Sequence, residues 1–89
     1  FDLFILGDEP RHQEIQESLV RLFDEFLPGA YKLRVIDVRN HTEIVVENNV
    51  HATPTLIKCH PQPVQRVVGD LFVGECLLKE LRIFPSEND

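Results

Sequence analysis

The residues able to do chemistry are few and scattered. Cys59 and Cys76 stand seventeen positions apart with no C-x-x-C spacing. Their expected role is that of small buried hydrophobes in a reducing compartment, one in an apolar strand and one on the apolar face of a helix, with no disulfide between them. His12, His41, His51 and His60 fall in predicted loops and helix starts, where the ordinary state is a solvated imidazole. Cys59 and His60 are the only Cys/His neighbours; successive strand residues point to opposite faces, which argues against a shared metal. Asp8 and Glu9 read as helix-start carboxylates, favoured there by the helix dipole, and not as an acid/base pair. Gly7, Gly29, Gly69 and Gly74 form no phosphate-cradling loop. No catalytic residue, metal or cofactor is expected.

One pentapeptide is more telling. Ala52-Thr53-Pro54-Thr55-Leu56 places a proline at the mouth of an apolar strand. A proline cannot donate to a sheet ladder, so it is confined to strand starts, edges and bulges. X-Pro bonds are also the only ones for which cis is cheap, roughly 0.5–1 kcal/mol above trans. A cis Pro54 at the bend into the strand is expected, with an ordinary trans proline as the alternative.

The elements that must position these residues can be read in order. Eighty-nine residues, 43% of them hydrophobic and 27% charged, suffice for one domain over residues 1–89 with one core. A net charge of −6 would repel phosphate backbones, so nucleic acid is not an expected partner. No apolar run approaches the ~18 residues of a membrane helix and no stretch reads as a signal peptide, so a cytoplasmic location is expected. The chain opens on Phe1 and goes straight into a strand, as an excised domain would.

Strand one is predicted at Leu3–Leu6, ended by Gly7-Asp8-Glu9-Pro10, with Asp8 or Glu9 as helix cap and Pro10 in the first turn. Ile15, Leu19, Leu22, Phe23 and Phe26 then form one helical stripe, stopped at Leu27-Pro28-Gly29. Strand two is predicted at Tyr31–Val38. Asn40-His41-Thr42-Glu43 resembles a capping box opening a short helix to about Asn48. Strand three runs Thr55–Cys59, and after the His60-Pro61-Gln62-Pro63 loop the β-branched Val64–Val68 reads as a fourth. Gly69-Asp70 breaks it, and Phe72, Val73, Cys76, Leu77 and Leu81 lie at helical spacing.

The order is βαβαββα, a right-handed parallel βαβ unit followed by a hairpin and a helix. That is the order of a thioredoxin-like α/β three-layer sandwich, and Pro54 falls where that fold places its cis-proline. Thioredoxins work through a thiolate at the start of the helix after strand one, where the dipole lowers its pKa. Here that position reads Gly7-Asp8-Glu9-Pro10-Arg11-His12, with no cysteine, serine or tyrosine. The redox site is missing.

Three blocks then carry a family resemblance: Gly29-Ala30-Tyr31-Lys32-Leu33-Arg34-Val35-Ile36-Asp37-Val38, Ala52–Leu56, and Pro61-Gln62-Pro63-Val64-Gln65-Arg66-Val67-Val68-Gly69-Asp70-Leu71. With Gly7-x-x-Pro10, they make the chain similar to the KaiB family of small circadian clock proteins over nearly its whole length. The sensory domain of SasA-type histidine kinases is similar too, less closely in the third block.

The resemblance implies a non-enzymatic binding module that docks on the ATPase ring of KaiC or a KaiC-like protein. It also implies two folds for one sequence, a ground fold assembled as a tetramer and a thioredoxin-like monomer that binds the ring; a homo-oligomer, tetramer or dimer, is thus a further expectation. The docking residues of the family's second strand fall on Lys32 and Arg34, with Lys32 where an alanine is usual. The other reading of both is a charged strand edge that blocks aggregation. Two departures bear on the ground fold: Phe72-Val73-Gly74-Glu75 replaces a polar segment, and the proline usual after strand two is missing. The competing reading is a thioredoxin-fold redox or glutathione-linked enzyme with an unusual site, against which the missing helix-start cysteine stands.

Overall fold

The computed structural model describes residues 1–69 and 74–83. Strands β1 (Asp2–Ile5), β2 (Arg34–Asp37), β3 (Thr55–Lys58) and β4 (Gln65–Val68) alternate with helices α1 (Pro10–Phe26), α2 (Thr42–Glu47) and α3 (Glu75–Glu80) in the order βαβαββα. The sheet order is β2-β1-β3-β4. β1 and β2 run parallel, while β3 is antiparallel to both β1 and β4. This is the thioredoxin-like arrangement expected from the element order.

The two-residue period of the strands builds two cores. Leu3, Ile5 and Leu56 face α1 and α3, meeting Ile15, Leu19, Leu22, Phe23, Leu77, Leu78 and Leu81. Phe4, Ile36 and Ile57 face the other way, toward Val50 and the half-buried Ile44 and Val45 of α2. The central strands β1 and β3 are buried throughout, whereas the edge strands β2 and β4 each include exposed and half-buried residues.

Several boundaries differ from expectation, each for a local reason. β1 ends at Ile5 because the Leu6 N–H donates 3.0 Å to Nδ1 of His12 instead of continuing the ladder. β2 begins at Arg34, not Tyr31, because β1 offers only Asp2–Ile5 to pair with it. Tyr31 is instead held by its hydroxyl, which donates to Asp24 at 2.7 Å, and by an edge contact with Phe23.

His12 is not a solvated histidine: it is 6% exposed and extends the Ile15 stripe one turn toward the N-terminus. Glu9 occupies the cap of α1 with no side-chain hydrogen bond, and His41, not a capping-box residue, stands at the cap of α2, also without one. Pro10 does open α1. Cys76 is exposed, because Leu77, Leu78 and Leu81 take the buried face of α3; Cys59 is half-buried just beyond β3. Phe72 and Val73, expected at helical spacing with Cys76, Leu77 and Leu81, lie outside the described residues. The Thr53–Pro54 bond is cis, and so are His60–Pro61 and Gln62–Pro63.

Candidate functional site

Lys32 and Arg34 sit at one end of the sheet's β2 edge. Lys32 is exposed in the segment leading into β2, and Arg34 is the first residue of the strand. Register places Arg34 directly opposite Asp2 of β1. The guanidinium grips that carboxylate with two bonds, Nε to Oδ1 at 3.0 Å and Nη2 to Oδ2 at 2.8 Å. The geometry is bidentate, the stronger form of the arginine–carboxylate contact. The arginine side chain is 58% exposed and that of the aspartate 11%. The Arg34 hydrogen bonds hold the Asp2 carboxyl below its usual range against the opposing effect of burial, and they raise Arg34 in turn. Cys59 completes the cluster, its thiol donating to Asp2 at 3.6 Å. Burial first, and the Asp2 charge second, push that thiol upward, the reverse of what an activated nucleophile requires.

The opposite end of the edge is held by a second carboxylate. Asp37, paired with Ile5, accepts from the Gly7 N–H at 3.1 Å and from Arg39 through its backbone N–H (3.0 Å), Nε (3.1 Å) and Nη2 (2.8 Å). The Arg39 side chain is the main reason that the Asp37 carboxyl lies far below its ordinary value. Arg39 also reaches Asp8 at 3.2 Å. The result is a clasp across the β1–α1 turn, where a thioredoxin would present its thiolate. Gly7 suits it: a β-carbon there would collide with Oδ2 of Asp37.

Pro54 lies at this second end, next to Thr55, which pairs with Phe4. The structure therefore brings Lys32 and Arg34 together and leaves Pro54 at the far end of the sheet. Sequence reasoning missed Asp2, Asp37 and Arg39. A signal existed for the first, since opposite charges face each other across paired strands, but only once the register is known. Among the described residues, no three His, Cys, Asp or Glu side chains come together as metal ligands.

A mixed α/β chain with a four-strand sheet of this order is consistent with the family its sequence matches. The KaiB domain profile matches residues 2–83. This chain belongs to the KaiB family. It is 34% identical over 85 residues to the circadian clock oscillator protein KaiB of Microcystis aeruginosa, covering 96% of this chain and 82% of that one. The KaiB of Thermosynechococcus vestitus is also 34% identical, with 96% and 79% covered. The circadian clock protein KaiB3 of a Synechocystis strain is 36% identical over 84 residues, with 94% and 82% covered. Within a KaiB-family chain, the β2 edge gains its interest from what surrounds it: both of its ends are fixed by arginine–aspartate contacts, so its side chains are presented in a set geometry.

Proposed function

We propose that this KaiB-family chain is a non-catalytic protein-interaction domain that docks on a KaiC-like ATPase ring, in a circadian clock or related cytoplasmic signalling, through its β2 edge. The observation that carries this reading is the exposed cationic segment of Lys32 and Arg34 on an edge strand of an otherwise acidic chain. An edge strand offers unpaired backbone groups for recognition, and the exposed Lys32 charge beside that edge of a −6 chain orients an acidic partner. Lys32 supplies a mobile charge, and Arg34 supplies one already aligned by Asp2. The raised Cys59 thiol and the clasp at the α1 start support a binding role over a redox one. No helix of the described residues is long and apolar enough to cross a membrane.

The test is surface plasmon resonance of the chain over an immobilised KaiC-like ATPase ring. Lys32→Glu is expected to weaken binding mainly by slowing association, with an effect that shrinks as salt rises. Lys32 is the better probe than Arg34, because a reversed Arg34 would also set two carboxylates against each other at Asp2. No measurable binding of the unaltered chain, or equal affinity and equal salt dependence for Lys32→Glu, would remove the reading.

A further inference from the structure

Lys58, the last residue of β3, is only 1% exposed in a strand that otherwise holds Thr55, Leu56 and Ile57. A buried ammonium has given up its hydration and is normally paired with a carboxylate or a full set of acceptors. No carboxylate of the described residues pairs with this one. Its hydrogen-bond partner among them is the main-chain oxygen of Arg82, at 3.4 Å, beyond the usual limit of about 3.2 Å for such bonds. A lysine carries three donors, so most of its capacity is unspent.

The same lysine lines a cavity of about 330 Å³ whose walls include Leu27, Pro61 and Ile83, with His60 and Arg82 alongside. That volume is at the small end of ligand pockets, which run about 300–1,000 Å³ and combine apolar walls with a few placed polar groups.

The turn that closes the cavity is unusual in its own right. The Arg82 N–H bonds to the Lys79 oxygen at 3.1 Å and the Ile83 N–H to the Leu78 oxygen at 2.8 Å, the paired bonds that end a helix at a left-handed residue. Arg82 takes that conformation, with φ of 59°, where glycine is the favoured choice. Arg82 also lines the cavity and its side chain is exposed, within reach to bring a second cation to the rim.

We propose that this cavity binds a small organic carboxylate with an apolar body. The carboxylate would sit on the Lys58 ammonium, with Arg82 as the outer cation, and the body against Leu27, Pro61 and Ile83. The unspent donors select an anion over a neutral ligand. The apolar walls and the chain's net charge of −6 disfavour a multiply charged one.

The experiment is an NMR titration of the full chain with octanoate and with octanol, reading backbone amide shifts near neutral pH. Octanoate is expected to give saturable shifts at residues 58, 82 and 83, about tenfold tighter than octanol, as a charge-assisted hydrogen bond provides. Lys58→Met is expected to abolish that preference while octanol still binds, and Lys58→Arg to retain it. The octanoate–octanol comparison on the unaltered chain decides even if Lys58→Met does not fold. Equal affinities, shifts centred elsewhere, or no saturable octanoate shift would each overturn the proposal.

Discussion

The two free edges of the sheet are built on different principles. β2 is bounded by charge: Arg34 is tied to Asp2 at one end, and Asp37 is tied to Arg39 and Gly7 at the other. β4 carries no carboxylate clasp by contrast: its outward Val68 and the Val64 just before it are about half exposed, at 52% and 51%. The arginine on that edge, Arg66, turns away to the main chain of Asn49, 3.1 Å from its Nη1, and so serves the end of α2. An apolar edge is adhesive toward any exposed strand, whereas a charged edge rejects most partners and admits those of matching charge. The proposed docking therefore falls to β2, with β4 as the control surface.

The largest effect is expected at the Asp37 end of β2. Gly7→Ala drives a β-carbon into a carboxylate that is itself hydrogen-bonded to the Gly7 N–H, so the carboxylate cannot swing aside without losing its partners. The expected cost is about 2 kcal/mol in chemical denaturation, typical of overpacking. The loss should be much smaller in an Asp37→Ser background, which identifies the carboxylate as the obstacle.

At the other end, Asp2→Asn removes the charge beneath Arg34 while keeping the shape. A loss of about 1 kcal/mol is expected, since one partner is solvent-screened, and it should shrink in high salt. The same variant sharpens the acid response. Both Asp2 and Asp37 have folded-state values depressed below 3.8. Their contribution is present above that pH and is lost as pH falls below it toward the folded values. Thermal unfolding of the unaltered chain should therefore show a stability decline below about pH 4, and Asp2→Asn should make it shallower while the Asp37 share remains. Smallest of all, Val68→Thr on the solvent side of β4 should change stability by less than about 0.5 kcal/mol and leave association with the ring protein unaltered.

The sequence made the skeleton legible because its strongest signals are periodic. The α1 stripe, the β-branched strands and the glycine and proline breaks specify the βαβαββα order. Side chains whose roles depend on register were hidden. Asp2 lies just before the predicted start of strand one at Leu3, but β1 begins with it and sets it opposite Arg34. Asp37 and Arg39 meet Gly7 only because β1 and β2 run parallel and in this alignment. His12 was masked by residue type: it lies three positions before Ile15 and continues the stripe, but polarity argued for solvent until its bond to Leu6 accounted for the burial. Cys76 erred in the opposite sense, since a six-residue helix buries too narrow a stripe to include it. Lys58 stood inside an apolar run that gave no sign of a buried ammonium.

The proposed docking edge is β2, not β4. Hydrogen–deuterium exchange of the chain, alone and in complex with a KaiC-like ATPase ring, tests it most directly. Exchange is expected to slow across residues 30–39 in the complex and to stay unchanged across residues 64–68. Protection confined to residues 64–68, with residues 30–39 exchanging as in the free chain, would contradict it.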